Sequence, residues 1–439
     1  MKRVLIVSPH FPPVNAPDMH RVRMSVPYFA ESGWQPIVLT VRPEDQNLPL
    51  DVSLLQTIPS DLKVVAVKAF PLAAARLAGI GNTALRALGQ LYRAGARIIR
   101  SERIDVVYFS TTQFVAMALG RIWKRQFGTP FVIDLQDPWF STYYDDKPRA
   151  ERPPKYALAR AMHRRLERWT MREVDALITV SSAYTQTLRE RYPWIHEGMC
   201  TTIPFGASGR DFDSVRVVAP TASHDLSARR TVKGVYVGRG GPDMSTALQI
   251  VFRALAMAGE RSRFPEVRLS FCGTSYARDN RAQKTVEPLA AAQGVQHHVS
   301  ETTTRLPYLA ALGRLKTADF LLVIGSDDPQ YSASKVYSYI LARRPLLAIV
   351  HERSPLVDII RRVRAGKVIT FAHRGDVEAP ASRLVKVWAE LLDRLPFVPD
   401  TDWLSFAPYT APALTKEQCR AFDSVMKPRV VSLPVPCTD

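Results

Sequence analysis

The sequence is short of cysteine, of long apolar runs and of negative charge. Its four cysteines (Cys200, Cys272, Cys419 and Cys437) are scattered, with no C-x-x-C pair and no metal-ligand spacing. That argues against a disulfide framework and a metal site, and it suits a reducing compartment. No segment approaches the roughly 20 apolar residues needed to cross a bilayer, and the opening apolar run is too short for a signal-peptide core. A cytoplasmic chain is expected, at most peripheral on the inner face of the cytoplasmic membrane. Acidic residues number 41 against 59 Lys and Arg, a net charge of +18. Such a balance points to a polyanionic partner: phosphorylated substrates, an anionic membrane surface or nucleic acid. Nucleic acid ranks last, because no recognition motif interleaves aromatics with the cations. Arginine-rich coding from a GC-rich genome is the alternative source of the excess.

What is present is enough apolar residue to build cores, 46% of a chain of 439, and that length predicts two domains. Short continuous apolar runs at 4–8, 36–40, 64–67, 106–110, 131–135, 177–180 and 201–203 read as parallel strands covered on both faces. Helical-period segments fall between them, near 18–31, 84–101, 113–126, 155–172 and 183–192. The polar, aperiodic stretch 207–230 reads as a linker. A second alternating series follows, with strands at 235–237, 269–272, 297–299, 320–324, 346–350 and 368–371. Its helices lie near 245–259, 281–293, 305–317, 333–343, 355–364 and 376–393. There is no tandem repeat, but the α/β architecture occurs twice. The expected organisation is a Rossmann-like domain over 1–206, a linker over 207–230 and a second Rossmann-like domain over 231–409. A C-terminal helix within 410–427 is expected to join the first. Two doubly wound domains facing across a central cleft would bind ligands at the C-terminal ends of both sheets.

Glycine is sparse, yet Gly238, Gly240 and Gly241 cluster directly after the strand at 235–237. Strand, glycine turn and helix start place backbone N–H groups and a helix's positive end at one point, an arrangement that binds phosphate. Ser245 is the expected helix cap. Arg239 adds a cation with fork geometry for phosphate oxygens. The alternative is an ordinary βα turn with a solvated arginine. A second stretch, Ser332-Ala-Ser-Lys-Val-Tyr-Ser-Tyr-Ile-Leu-Ala-Arg-Arg-Pro345, starts a helix with Ser332 or Ser334 as cap. There Ser334 and Lys335 sit in the first turn. A lysine at that end opposes the helix dipole, which a bound anion would explain.

These stretches, with Val4-Leu-Ile-Val-Ser-Pro-His-Phe-Pro-Pro13, His20-Arg21, Val132-Ile-Asp-Leu-Gln-Asp-Pro-Trp139 and Thr202-Ile-Pro-Phe-Gly206, resemble the GT-B glycosyltransferases of family 4, a retaining, nucleotide-sugar-dependent group. The resemblance implies transfer of a sugar from a nucleotide-diphosphate sugar to a lipid-linked or polysaccharide acceptor in cell-surface glycan assembly. The diphosphate would lie at Gly238, Arg239, Gly240, Gly241, Ser334 and Lys335, with no metal or other cofactor required. The family's two glutamates eight positions apart fall here on Gln330 and Ser338, neither acidic; Asp327 or Asp328 is the nearest substitute. The family's lysine after the glycine–arginine pair is replaced by Pro242-Asp243-Met244.

In the first domain, His10, Arg21, Asp134 and Trp139 are the candidates for acceptor binding, Trp139 by stacking on a sugar ring. Asp137 is the candidate general base, against the alternative that Asp137-Pro138 is only a turn. Arg239 and Lys335 would stabilise charge developing on the leaving diphosphate. Rival readings are a nucleotide-sugar epimerase on the same architecture and a catalytically silent binding or scaffold protein, which the absent glutamates favour. Finally, Arg86, Arg93, Arg97 and Arg100 fall within about 60° of one another at ~100° per residue, opposite Leu88, Leu91, Ile98 and Ile99. Arg160, Arg164, Arg165, Arg168 and Arg172 line another helix. Such faces suit an anionic membrane surface, unless the arginines are simply solvated.

Overall fold

The computed structural model describes residues 1–439 except 78, 143–144, 146–147, 150–151, 153–155, 216–230, 260–265, 276–280, 330–333 and 427–439. Two compact units result: Met1–Pro204 with Pro412–Asp439, and Phe205–Ala411.

The first unit is built on a parallel sheet of β1 (Lys2–Val7), β2 (Trp34–Val41), β3 (Lys63–Val67), β4 (Val106–Ser110), β5 (Phe131–Leu135), β6 (Ala176–Thr179) and β7 (Cys200–Thr202). Their order is β3-β2-β1-β4-β5-β6-β7, so the direction of winding reverses between β1 and β4. Both faces are covered over β1, β4, β5 and β6, which is why those strands read as largely apolar runs. Leu5, Val7, Phe109 and Ile133 face one core, where Leu91, Ile98 and Ile99 of the helix Thr83–Glu102 pack. Asn82 caps that helix, its side chain accepting from the Leu85 N–H. Val4, Ile6, Tyr108 and Val132 face the other core, which the C-terminal helix Ala411–Ser424 closes. Phe422 of that helix meets Phe29, Trp34 and Tyr108 ring to ring.

The second unit repeats the plan with β8 (Val232–Val237), β9 (Val267–Cys272), β10 (Val299–Thr302), β11 (Phe320–Ile324), β12 (Leu346–His351) and β13 (Gly366–Phe371). The order is β10-β9-β8-β11-β12-β13, with its reversal between β8 and β11. Helices Ser245–Gly259 and Glu378–Asp393 cover one face, where Phe252 and Trp388 fill the core.

Several elements differ from expectation for local reasons. Helix 18–31 shrinks to His20–Ser25; Val26 still has helical φ/ψ, but Pro27 has no N–H with which to carry the hydrogen-bond ladder on. The helix expected at 281–293 runs only Glu287–Ala292, with Pro288 in its first turn, the position a missing N–H suits best. His297 and His298 form a 3-10 turn ahead of β10. Ser245 is the first residue of its helix rather than its cap, since a 3-10 turn, Pro242–Met244, precedes it. The stretch 207–230 opens with a helix, Gly209–Asp213, whose Phe212 is buried in the second unit. Its remainder from 216 lies outside the described residues.

Candidate functional site

In the second unit, β8 ends at Val237 and the chain turns through the three glycines directly at the reversal point. The Gly238 and Gly240 N–H groups are held by the carbonyls of Cys272 and Thr274, at 2.9 and 2.7 Å. Lys335 reaches the same point from the turn before the helix Val336–Leu341. Its Nζ donates to the Tyr236 hydroxyl at 2.8 Å and lies 4.4 Å from the centre of that ring. A methyl group on Gly238 would stand 1.8 Å from that Nζ, so glycine is required for the lysine to arrive. Tyr339, one turn further along, both accepts from the Val237 N–H at 2.6 Å and donates to its carbonyl at 3.0 Å. The lysine and the glycine turn are thus fixed to each other.

The electrostatics at this point are those of two neighbouring cations, one of them desolvated. Although Lys335 keeps some exposed surface, its ammonium is desolvated, and burial followed by the repulsion of Arg239 lowers its pKa to about 7. Arg239 points its fork at Asp243, with contacts of 2.8 and 2.6 Å. The Arg239 hydrogen bonds hold the Asp243 carboxyl below its ordinary value. Asp243 occupies the segment where the resemblance led us to expect a lysine. Asp327 follows β11 on the far side of the reversal, its N–H donating to the Asp243 carbonyl at 2.7 Å. One Asp327 carboxylate oxygen is buried with no hydrogen-bond partner, and the other is 3.5 Å from Arg374. Ser334 is exposed and Ser338 half-buried on the following helix; Gln330 lies outside the described residues.

The first unit corrects three assignments. Asp134 is fully buried and accepts from Ser110 at 2.6 Å and Tyr108 at 3.0 Å, while Arg21 Nε lies 3.0 Å from the same oxygen. Burial raises its carboxyl, against the opposing pull of Arg21, Ser110 and Tyr108. Arg21 is equally enclosed and donates to the Ile203 carbonyl at 2.9 Å. Both side chains therefore brace the fold rather than meet an acceptor. Trp139 is buried as well, stacked on Phe114 at 5.9 Å and donating to His163 Nδ1 at 3.0 Å. Its face is occupied, so it offers no platform for a sugar. The signal missed in each case was a partner from elsewhere in the chain, which strand periodicity does not encode.

Two candidates do reach the reversal point. Asp137 is exposed after β5, and partial desolvation together with the nearby Asp18 charge raises its carboxyl. His10, after β1, is buried, with Nδ1 2.9 Å from Asp18. Asp18, which sequence reasoning passed over, also accepts from the Thr111 hydroxyl at 2.8 Å and the Thr112 N–H at 3.0 Å, so loops after β1 and β4 converge on it. Its position just after Pro17, opening a helical turn beside the first loop, was the available signal.

The basic stripe is partly dismantled. Arg86 is buried, donating to the carbonyls of Phe70 and Asp45 at 2.7 and 2.8 Å. Arg160 is bidentate with Asp145. Arg93, Arg97, Arg100, Arg164, Arg165, Arg168 and Arg172 are exposed. Among the described residues, no helix is long and apolar enough to cross a membrane.

Comparison with known proteins bears on both units. Residues 20–206 match the family model described as a glycosyl transferase 4-like domain. No curated protein matches the sequence. Among solved structures, a glycosyltransferase from Rickettsia africae is similar at TM-score 0.57 and 13% identity, over 97% of this chain and 98% of that one. The Anabaena protein HepE, solved with UDP-glucose, is similar at TM-score 0.54 and 14% identity, over 97% and 96%. A putative UDP-N-acetylglucosamine 2-epimerase from Listeria monocytogenes gives TM-score 0.52 and 14% identity, over 97% and 96%. At such identities the likeness shows the fold, and that fold is GT-B.

Proposed function

We infer that this GT-B chain, whose residues 20–206 carry a glycosyl transferase 4-like domain, moves a sugar from a nucleoside-diphosphate sugar to a hydroxyl-bearing acceptor. The observation that carries the reading is the convergence of Lys335, Arg239 and the Gly238–Gly241 turn at the reversal point of the second sheet. Two cations at a glycine turn would meet the charge that builds on a departing diphosphate. The fold itself does not choose between transfer and epimerisation, since both kinds of enzyme are among its structural relatives. The domain over residues 20–206 favours transfer.

Uridine is the favoured base, because the Anabaena relative was solved with UDP-glucose. Asp327, with a buried and unpartnered carboxylate oxygen, is the favoured acceptor for a donor hydroxyl in place of the acids absent at Gln330 and Ser338. A lipid-linked or polysaccharide acceptor at an anionic membrane surface fits the exposed Arg93, Arg97 and Arg100, all on one helix. A binding-only role is the second reading, favoured by the Arg239–Asp243 pair that fills the fork.

Thermal shift against UDP, GDP, ADP and TDP tests the site. A ligand at a hundred times its Kd stabilises by about 2.7 kcal/mol. We expect one nucleotide to shift the melt, and the shift to vanish in both Arg239→Ala and Lys335→Ala. No shift with any nucleotide would remove the transferase reading, whereas a shift without UDP release from UDP-sugars would leave the binding-only role.

A further inference from the structure

The helices Thr83–Glu102, Ala118–Phe127 and Tyr156–Met171 cover one face of the first sheet, with Leu91, Trp123 and Met171 packing into the same core. They are laid side by side. A methyl group on Gly95 would stand 2.2 Å from the Trp123 ring, and the Tyr92 hydroxyl donates to Gln126 Oε1 at 3.0 Å. Arg121 covers the Trp169 ring at 4.5 Å, tying the second helix to the third. The three helices carry eleven Lys and Arg against two acids, Glu102 and Glu167. Glu167 is buried, accepting from Arg191, Tyr192 and the Phe140 N–H, and Glu102 is paired with Lys63 and Arg3. Arg93, Arg97 and Arg100 on the first helix, and Arg164, Arg165 and Arg168 on the third, are exposed with no carboxylate partner among the described residues. An ordinary solvated face intersperses both signs of charge; here both acids are engaged elsewhere and the outer side is cationic.

Apolar side chains stand among these cations. Leu158 is 71% and Met162 39% exposed. With Arg165 they fall within about 60° of one another at ~100° per residue, opposite the buried Glu167, Thr170 and Met171. Phe70, 59% exposed, is held at the start of the first helix, its N–H donating to the Arg86 carbonyl at 3.0 Å. Leu77, 92% exposed, ends the short helix Leu72–Leu77 that follows Phe70. Each of the three long helices leads from the C-terminal end of one strand back to the start of a parallel one, so its first turns lie at the C-terminal edge of the sheet. The four apolar side chains are therefore on the side of the edge at which doubly wound sheets take ligands, and Arg97, Arg100 and Arg168 lie behind them. Leucine and methionine bounded by arginine is the composition of a helix that lies in a lipid interface. A nucleic-acid groove interleaves aromatic platforms with its cations, whereas the third helix offers aliphatic side chains.

We propose that this helical layer of the first unit docks on an anionic lipid leaflet. Leu158, Met162, Phe70 and Leu77 enter the boundary between headgroups and acyl chains, and the arginines of the first and third helices lie against the lipid phosphates. The proposal deepens the membrane-acceptor part of the proposed function and rests on it for its purpose, although docking itself needs neither nucleotide nor turnover. It adds which side chains enter the lipid, and that the leaflet meets the first unit toward the ligand edge of its sheet.

Flotation of the full chain with vesicles tests it, one set of phosphatidylcholine alone and one of phosphatidylcholine and phosphatidylglycerol in equal parts. The protein should float with the anionic vesicles and stay behind with the zwitterionic ones; equal behaviour with both overturns the proposal. Arg93→Gln, Arg97→Gln and Arg100→Gln combined should weaken anionic binding roughly a hundredfold, since each arginine near the surface is worth about a factor of five. Leu158→Ser with Met162→Ser should weaken it about tenfold through lost apolar burial. Leu404→Ser, at a residue 89% exposed in the second unit, is the control and should change nothing. Anionic binding unchanged in the Leu158→Ser, Met162→Ser protein would show a generic polyanion surface and overturn the docking. Absence of flotation in a protein whose melt UDP shifts would overturn the docking alone. Flotation without any nucleotide shift would leave the docking standing and remove the transfer reading.

Discussion

The Lys335 ammonium sits 2.8 Å from the Tyr236 hydroxyl and 4.4 Å from the centre of its ring, with no carboxylate partner among the described residues. A desolvated lysine beside Arg239, with a pKa of about 7, is partly neutral at physiological pH. A diphosphate arriving there restores the charge, so binding should take up a proton. UDP affinity is expected to fall as pH rises from 6 to 9. Titration calorimetry in two buffers of different ionisation enthalpy reads the uptake directly, and equal heats in both buffers would contradict it.

The same lysine makes a stability prediction of the opposite sense to an ordinary surface lysine. Its unfolded pKa is about 10.4, against about 7 when folded. Between these values the unfolded chain holds the extra proton, so stability rises with pH across that window. Below about 7 the lysine is charged in both states and its burial cost is fully felt. Lys335→Met should therefore be more stable than wild type at pH 6.5, the gap closing toward pH 10. Urea melts at three pH values measure it.

Gly238 has no room for a side chain because Lys335 Nζ takes the space, 1.8 Å from where a Cβ would be. Gly238→Ala should displace the ammonium from Tyr236 and lower UDP affinity at least tenfold. The overpacking itself should cost about 1–3 kcal/mol. Gly259→Ala, with nothing near its would-be Cβ, is the control and should leave binding alone.

How far the sequence foretold these features follows a physical divide. Strands such as β4 and β5 were legible because a strand covered on both faces must be apolar at every position, and that requirement is local. The glycine turn and Lys335 were legible for a similar reason, each marking the end of an element. Asp134 and Trp139 were not, because their burial depends on Arg21, Tyr108, Phe114 and His163, all distant in sequence. The helix at His20–Ser25 stops where Pro27 supplies no N–H to the ladder, a signal that was present and outweighed by hydrophobic period.

The Arg21–Asp134 pair separates a bracing role from a binding one. Removing one partner of a buried ion pair leaves the other charge uncompensated and costs about 3–5 kcal/mol. Arg21→Met should accordingly lower stability by that order, most strongly at pH 7 and above, where the abandoned carboxylate would otherwise ionise. Asp134→Asn in the same background should recover part of the loss. Denaturant melts of the two single variants and the double decide it, and additive losses would mean that the two side chains act separately.

Asp243 competes with any phosphate for the Arg239 fork, since both of its oxygens are engaged there. A charge-assisted hydrogen bond contributes about 1.5–3 kcal/mol, and part of that is surrendered when a diphosphate displaces the carboxylate. Asp243→Ala should therefore tighten UDP binding by roughly tenfold, the factor that corresponds to about 1.4 kcal/mol. Arg239→Ala should weaken binding, and the double variant should resemble Arg239→Ala, because Asp243 has no rival to hold off once the fork is gone. If Asp243→Ala weakens binding instead, the carboxylate aims the guanidinium at the phosphate rather than withholding it. Calorimetric Kd values for the three variants distinguish the two roles.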